Sequence, residues 1–450
     1  MESLSTHSSL TALQSHATLV LITCVALGAR LSFFMPVHAQ GYTSDEREYV
    51  SMARQLADGK DFVDSNGERS TRAPLFPLFL AALFKATGGS VIIAQLVGCI
   101  LGTMVVVLGY LLSMQVWNDR LAALVAAALI AVYPGLVIYS GLLQTETLYI
   151  AFFLLALWFA YRAMDITTSL TMAGLGLVSG LAALTRVVFL GFFPLLLALL
   201  WWKRRKNGAP GGGKVVLALT LFCVVTVPWT IRNYEIHHAL VPISSGGGNS
   251  LLTGSNPYAT GTWRVEEGFE QWYSEQAKEF GVADITALSE TERSELSGRI
   301  AREYIRTHPL DALRLVMKKA HILLVYPITH SDSLVPLQAF SVGFDFLLLL
   351  GAAVGFVASF RGRGRPGIIY ATTVFFVLAQ LVFHSESRFR LPLLPLVCML
   401  FGVGIATVVD KDRLRELFSA RGNTYRVLAA VTLVMLVYVV TGVLFLKGSL

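Results

Sequence analysis

Long apolar runs separated by short polar breaks dominate the hydropathy pattern of this chain. Most of these runs hold roughly 17–24 residues, the length that an α-helix needs to cross a bilayer core of about 30 Å. The runs predict membrane spans near residues 17–35, 91–114, 121–139, 145–161, 170–184, 187–202, 215–231, 337–360, 367–383, 391–409 and 427–446. Two further runs, 75–86 and 316–328, are short or interrupted, and each fits a span, an interfacial helix or a re-entrant segment. The predicted count is therefore eleven to thirteen.

Composition supports a membrane protein. The 450 residues are 54% hydrophobic and 14% charged, whereas soluble domains average about 45–50% apolar and about 25% charged residues. This balance excludes a soluble enzyme, a secreted domain stapled by disulfides and a disordered chain. Four cysteines lie inside apolar runs without a CxxC spacing, which indicates small buried side chains. We predict an all-α polytopic membrane protein.

The basic residues predict the orientation of the chain. Residues 203–214 carry five lysines and arginines, 361–365 carry three and 410–426 carry five, although the N-terminal tail has none. The positive-inside rule makes these loops cytoplasmic, so they account for the net charge of +7 better than nucleic-acid binding does. We therefore predict a multi-pass inner- or plasma-membrane protein whose long polar loops lie on the extracytoplasmic face.

The loops divide the chain into three predicted domains. Residues 1–231 form an N-terminal transmembrane module that includes a first outer loop, 36–74; residues 232–315 form an extracytoplasmic loop domain; residues 316–450 form a C-terminal transmembrane module. Thr43 to Glu46 and Ser289 to Glu292 have the spacing of capping boxes, each before an amphipathic helical pattern. Within the loop domain, the patterns at 266–280 and 288–307 predict helices, and the glycine-rich segment 244–255 predicts a flexible lid.

Ionisable residues collect at the predicted outer face. They are Asp45, Glu46, Arg72, Glu146, Arg186, Arg232, Glu386, Arg388 and Arg390. Guanidinium groups bind phosphate bidentately, and a carboxylate serves as a general base or holds a divalent cation. The set therefore favours a substrate with a phosphate head and a lipid tail. Structural roles stay open: acids in a first helical turn favour the helix dipole, and arginines at span ends can extend to lipid headgroups.

Metal binding is a weaker hypothesis. Asp45, Glu146 and His384 are possible ligands of a divalent cation, but no histidine spacing in the chain predicts a zinc site. No cofactor is therefore assigned from the sequence, and a divalent cation stays open.

Several of these segments resemble the GT-C membrane glycosyltransferases, in particular the group of protein O-mannosyltransferases and bacterial aminoarabinose–lipid A transferases (glycosyltransferase family 39). The resemblance rests on Asp45-Glu46 followed by Tyr49 and Gly59, 72–78 (RAPLFPL), 146–149 (ETLY), 180–186 (GLAALTR), 228–234 (PWTIRNY) and 385–392 (SESRFRLP). It implies a GT-C-type bundle, a polyprenyl- or dolichyl-phosphate-linked sugar as donor, and reaction on the extracytoplasmic face. It also implies a catalytic role for Asp45, with Glu46 beside it, and for Glu146.

A mechanism follows as a hypothesis. Arg72, Arg232 and Arg388, with Arg186, would bind the donor phosphate. Asp45 would act as general base toward a hydroxyl acceptor and give inversion, or would orient an acceptor that is itself a phosphate. The acceptor is a lipid, a glycan or a protein. Two alternatives stay open: a polysaccharide polymerase or ligase, and a flippase or transporter of lipid-linked sugars.

Overall fold

The computed structural model describes residues 2–39, 41–206, 212–325, 335–360, 365–419, 425–432 and 434–435. Within these ranges the chain is helical, and its one β pairing is an isolated bridge between Ala259 and Val265. The helices of the first half are α1 (Glu2–Ala39), α2 (Ser44–Ala57), α3 (Leu75–Thr87), α4 (Val91–Trp117), α5 (Arg120–Val132), α6 (Pro134–Gly141), α7 (Thr145–Asp165), α8 (Ser169–Thr185), α9 (Val188–Lys206) and α10 (Gly212–His237). Those of the second half are α11 (Gly247–Thr253), α12 (Phe269–Glu279), α13 (Glu290–Thr307), α14 (Pro309–Val325), α15 (Val335–Ser359), α16 (Gly367–Val382), α17 (Leu394–Val409) and α18 (Lys411–Ser419), with 3-10 helices at Ile285–Ala287 and Ser387–Leu393.

The all-α membrane fold is confirmed, but the spans are more varied than predicted. Among the described residues, six helices are long and apolar enough to cross a membrane, and the bent pair α5–α6 would make a seventh. Helices α8 and α16 hold 17 and 16 residues, so they are about 25 Å long at 1.5 Å per residue. That is shorter than a bilayer core of about 30 Å. The predicted count of eleven to thirteen is therefore not reached by length and composition alone, and most of the run 427–446 lies outside the described residues.

A buried arginine stabilises the break between α5 and α6, which bends by 53°. Pro134 has no backbone N–H, so it cannot donate to Ile130 and its ring displaces the helical path. The Arg30 guanidinium, 1% exposed, donates to the carbonyls of Ala131 at 3.1 Å and Ile130 at 3.5 Å. Backbone groups at membrane depth need partners inside the protein, so this basic residue of α1 has a structural role.

Glycines allow the closest helix contacts of the bundle. A Cβ atom on Gly102 of α4 would lie 2.7 Å from Nε of Arg30, and one on Gly176 of α8 would meet the backbone of Ala218. In a membrane the hydrophobic effect does not drive helices together, because the lipid tails are also apolar. Small residues at such contacts let the helix backbones approach closely enough to pack. Helix α7 lies among these helices, with two thirds of its span buried.

The predicted first outer loop, 36–74, contains α2, which forms a helical hairpin with the following α3 on the bundle. The predicted capping box is confirmed: Thr43 accepts the N–H of Glu46 and donates its own N–H to the Glu46 side chain. The predicted apolar face of α2 is also confirmed, because Tyr49 and Val50 are buried against α3, where Tyr49 meets Phe76 edge to face. This packing fixes the first turn of α2, and therefore Asp45, relative to the membrane bundle.

The segment between α10 and α14, predicted to be extracytoplasmic, folds around α12 and α13. Both predicted helices form, and Ser289 with Glu292 makes the second capping box. The expectation of a flexible glycine-rich lid needs correction, because this segment contains α11, packed closely on α13. A Cβ atom on Gly248 would collide with the Ser294 carbonyl, and one on Gly254 would lie 2.7 Å from the backbone nitrogen of His384. The glycines therefore serve close packing.

Candidate active site

Asp45 is held between two arginines from distant parts of the chain. Its Oδ2 accepts from Nη1 of Arg388 at 2.6 Å, and its Oδ1 accepts from Nη2 of Arg72 at 3.3 Å. The side chain is 19% exposed, so the carboxylate is enclosed without being sealed from solvent. Burial alone would raise the pKa of Asp45, but the guanidinium groups of Arg388 and Arg72 outweigh it and lower the pKa below its ordinary value.

Glu48 completes the Arg72 end of this arrangement. It accepts from Nε of Arg72 at 3.0 Å and from Nη2 of the same guanidinium, which is the bidentate geometry that arginine favours. The Arg72 guanidinium also lies 5.6 Å from the centre of the Tyr49 ring. Glu48 is not among the site residues predicted from the sequence. Its position three residues after Asp45 puts both acids on one face of α2, and that spacing was the available signal.

Glu146 forms the inner end of the same arrangement. Its side chain is 2% exposed, and its Oε1 accepts from Nη2 of Arg186 at 2.5 Å. Nε of Arg186 also donates to Thr145 at 3.1 Å. Arg388 reaches the same carboxylate, with Nε at 3.9 Å, so this arginine bridges Asp45 and Glu146. An acid this deeply buried needs such compensation, because an unpaired buried charge is strongly unfavourable.

The structure thus joins five sequence-predicted groups, with Arg388 as the bridge, and adds one new acid, Glu48. We call Asp45, Glu48, Arg72, Glu146, Arg186 and Arg388 the acid–arginine network. Gln144 supports it by accepting from Nη1 of Arg388 at 3.2 Å and donating to Thr43 at 2.9 Å. Phe389 lies between two arginines, 5.5 Å from Arg186 and 5.7 Å from Arg388. Three guanidinium groups at one partly exposed place can bind a phosphate if it replaces carboxylate contacts.

Glu46 is adjacent in sequence but faces elsewhere. It is 1% exposed, and its two oxygens accept the backbone N–H groups of Thr43 at 3.0 Å and Leu143 at 2.9 Å. These bonds tie the start of α2 to the segment before α7. The predicted catalytic role of Glu46 is therefore revised to a positioning role, because both carboxylate oxygens are occupied by backbone donors.

Arg232 lies outside the acid–arginine network. Its Nη1 donates to the Arg69 carbonyl at 2.7 Å, and its Nη2 donates to the Phe62 carbonyl at 3.3 Å. Its guanidinium stacks on Trp229, 4.5 Å from the ring centre. The predicted assignment of Arg232 to donor phosphate therefore needs revision, since its donors hold the backbone of the first outer loop.

Arg232 belongs to a second cluster, which we call the loop anchor: Ser70, Arg232, Asn233, His237 and Glu290. Glu290, at the start of α13, accepts the backbone N–H of Arg69 at 2.9 Å and of Ser70 at 3.1 Å. Ser70 donates to Asn233 at 3.0 Å and lies 2.8 Å from Nε2 of His237. Ser70, Asn233 and Glu290 are not among the site residues predicted from the sequence. The anchor fixes the backbone immediately before Arg72.

The charges of Asp45 and Arg388 both act on the His384 imidazole. Burial of this side chain lowers its pKa to about 4. A neutral imidazole is available at neutral pH, but among the described residues no group of three or more His, Cys, Asp and Glu side chains is placed to hold a metal. Asp45 and Glu146 are already engaged by arginines. The possible metal site of Asp45, Glu146 and His384 is therefore not preassembled.

The segment that carries Arg388 is fixed from both sides. Glu386 accepts the Trp263 N–H at 3.3 Å, and Ser385 donates its N–H to the Gly261 carbonyl at 2.8 Å. On the other side, Arg390 pairs with Asp345 of α15 at 2.6 Å. The short 3-10 helix therefore directs Arg388 to the network and Arg390 into the bundle.

Sequence comparison relates part of the chain to lipid-linked sugar transferases. The family model described as dolichyl-phosphate-mannose-protein mannosyltransferase matches residues 71–231. Over 216 residues the chain is 28% identical to undecaprenyl phosphate-α-4-amino-4-deoxy-L-arabinose arabinosyl transferase 2 of Pseudomonas fluorescens. That alignment covers 46% of this chain and 36% of the relative.

Structural comparison covers nearly the whole chain. The oligosaccharyltransferase AglB of Archaeoglobus fulgidus, solved with an inhibitory peptide and a dolichol-phosphate, superposes with a TM-score of 0.56 at 15% identity, over 96% of this chain and 55% of that one. A structure of the Archaeoglobus fulgidus oligosaccharyltransferase with Zn and sulfate gives 0.55 at 14% identity, over 94% and 52%. The chain has a GT-C fold. The resemblance predicted from the sequence motifs is thus confirmed.

This GT-C protein spans about half the length of the oligosaccharyltransferase structures, and its alignment covers about a third of the curated relative. The segment matched by the family model contains Arg72, Glu146 and Arg186. Asp45 and Arg388 come from outside it, one on each side. The acid–arginine network therefore depends on the fold of the whole GT-C chain and not on the matched segment alone.

Proposed function

We propose that this GT-C protein transfers a sugar from a polyprenyl-phosphate donor to an acceptor on the extracytoplasmic face of the membrane, with inversion at the anomeric carbon. One observation carries the proposal: the Asp45 carboxylate lies between Arg72 and Arg388 at a partly exposed position beside the membrane bundle. A base next to phosphate-binding groups is what a single displacement at a sugar phosphate requires.

In the proposed reaction, the bond between the anomeric carbon and the donor phosphate oxygen breaks while the acceptor oxygen bonds to that carbon. The electron pair of the broken bond stays on the phosphate, where the guanidinium groups of Arg72, Arg388 and Arg186 stabilise the negative charge. The acceptor hydroxyl proton passes to the Asp45 carboxylate. A lipid phosphate needs no protonation to leave, so the reaction requires one base and no second acid.

The arginines are engaged by acids before substrate binds. A donor phosphate would therefore replace part of the Asp45 contact with Arg72 or Arg388, and the released carboxylate oxygen would face the acceptor. Glu146 would keep Arg186 and Arg388 in place, since it contacts both guanidinium groups. Arg232 is omitted from the reaction because backbone carbonyls occupy it.

The acceptor decides the role of Asp45. A hydroxyl acceptor requires proton removal, whereas a phosphate acceptor arrives ionised and would need only orientation or a bound cation. AglB was solved with an inhibitory peptide, whereas the name of the arabinosyl transferase gives its undecaprenyl phosphate donor and no acceptor. We leave lipid, glycan and protein acceptors as the classes to be screened.

The proposal is tested with purified full-length protein in nanodiscs and a radiolabelled polyprenyl-phosphate sugar. Wild type is expected to release free polyprenyl phosphate when an extract of envelope lipids, glycans or proteins is added, and Asp45→Asn is expected to release none above background. Asp61→Asn is the matched control, because Asp61 lies in the same loop in an exposed pair with Arg69. Full activity of a folded Asp45→Asn protein would remove Asp45 from catalysis. In a parallel reconstitution into sealed vesicles, movement of intact donor across the membrane without cleavage would identify a flippase instead.

A further inference from the structure

Helix α14 presents an apolar face that no described part of the chain covers. Leu310, Leu313 and Met317 are each more than half exposed. Their spacing puts them on one side of the helix together with exposed Arg314. Exposed apolar residues grouped in this way mark a contact surface, and a basic residue among them can extend its charge to lipid headgroups.

The charges of the extracytoplasmic segment are strongly divided along the chain. Residues 266–295 contain nine acidic and two basic residues, whereas residues 296–325 contain six lysines and arginines and two acids. The basic half includes α14 and most of α13. An anionic membrane surface attracts the second half and repels the first.

A hydrogen-bonded contact fixes the depth of α14. Lys319, 1% exposed, donates to the carbonyls of Leu381 at 3.2 Å and Val382 at 3.3 Å, where α16 ends. The exposed side of α16 is apolar up to that end, with Val374, Leu378 and Val382 outermost. An apolar side of this kind faces lipid in a membrane protein, so α14 meets the bundle where the lipid-facing surface of α16 ends.

We propose that α14 lies in the headgroup region of the membrane, with Leu310, Leu313 and Met317 in contact with anionic phospholipid. Three observations indicate anionic phospholipid as the occupant: the apolar face of α14, the basic half of the segment, and the contact with the end of α16. This inference concerns membrane contact and does not depend on the proposed transferase activity.

The contact would also set the height of the acid–arginine network above the membrane. The turn at Gly261 rests on Lys318 and Ile322 of α14, since a Cβ atom there would touch both side chains. The same turn accepts the Ser385 N–H, three residues before Arg388. A helix held by lipid headgroups would therefore support the arginine proposed to bind a lipid phosphate.

Site-directed spin labelling of full-length protein in nanodiscs tests the inference. A nitroxide is attached to Leu313→Cys in a background where the four native cysteines are alanine. Lys278→Cys on α12, exposed on the acidic side, is the matched control. In discs containing phosphatidylglycerol, the label at 313 is expected to collide severalfold more with oxygen, relative to a water-soluble nickel chelate, than the label at 278. Arg314→Glu with Lys318→Glu is expected to reduce that ratio.

Three outcomes would overturn the inference. Equal ratios at 313 and 278 would place α14 in water. Protection of the 313 label from both oxygen and nickel would show that a second copy or another protein covers the face. An unchanged ratio in discs made only of phosphatidylcholine would remove the anionic preference. None of these results depends on turnover, so failure here is distinguishable from failure of the proposed transferase.

Discussion

The acid–arginine network and the loop anchor use similar residues in different ways. In the network, arginines bind the side-chain carboxylates of Asp45, Glu48 and Glu146. In the loop anchor, Arg232 and Glu290 bind backbone carbonyl and N–H groups. A phosphate can replace a carboxylate at an arginine, because both are anions of similar geometry. The backbone partners of Arg232 and Glu290 cannot move without moving the loop. We therefore assign phosphate binding to the acid–arginine network and positioning of the loop backbone to the loop anchor.

Arg388→Lys is expected to have the largest effect on turnover. Lysine keeps the charge but cannot present two nitrogens in the fixed fork that reaches both Asp45 and Glu146. Loss of one such donor typically costs about 10²–10³ in turnover. Thermal stability should change little, because Asp45 keeps its pair with Arg72 and Glu146 keeps its pair with Arg186. The measurement is donor turnover with the melting temperature of the same preparation. Wild-type kinetics in a folded Arg388→Lys protein would exclude Arg388 from the site.

Arg232→Lys is the matched substitution in the loop anchor. It should lower stability more than turnover, the opposite of Arg388→Lys. Lysine cannot serve the Arg69 and Phe62 carbonyls together, and each lost hydrogen bond to a charged group is worth roughly 1.5–3 kcal/mol. We expect a clearly lower melting temperature and turnover within a few-fold of wild type. Turnover that falls as far as in Arg388→Lys, at unchanged stability, would return Arg232 to the phosphate site.

Glu48→Gln should give a smaller effect on turnover than Arg388→Lys. The amide keeps one acceptor for Arg72 but removes the bidentate charged pair, so Arg72 becomes less fixed. We expect a few-fold higher Michaelis constant for the donor with turnover nearly retained. Glu303→Gln, in an exposed pair with Arg306 on α13, is the control. A loss of turnover as large as that of Asp45→Asn would instead make Glu48 part of the reaction.

The smallest expected change is in pH dependence. The pKa of Asp45 is lowered in the folded protein, so the carboxylate stays ionised below the ordinary aspartate pKa of about 3.9. Its contribution to stability is present above that ordinary pKa and is lost as pH falls through the lowered one. The acid limb of kcat/KM should therefore lie below about 3.9, and Arg72→Gln should move it upward. A wild-type limb above the ordinary value would contradict the assignment of Asp45 as the free-enzyme base.

Local features of the fold were predictable from the sequence, whereas long-range partners were not. The capping box of Thr43 and Glu46 and the apolar face of α2 follow from spacings of three and four residues, and both are confirmed. The partner of Arg232 lies 163 residues away and that of Glu290 lies 221 residues away. No periodicity encodes such a choice. The hydropathy pattern could place Asp45, Glu146 and Arg388 at the same face of the membrane. It places Arg232 at that face too, but this residue belongs to the loop anchor.

The break between α5 and α6 links two residues that are more than a hundred positions apart. Replacing Pro134 with alanine would let the main chain bond to itself again and would leave the Arg30 guanidinium buried in the bundle with fewer acceptors. Replacing Arg30 alone would strand two carbonyls in the same place. Each single change should therefore harm the protein more than the double change, so that the pair is expected to persist or disappear together through evolution.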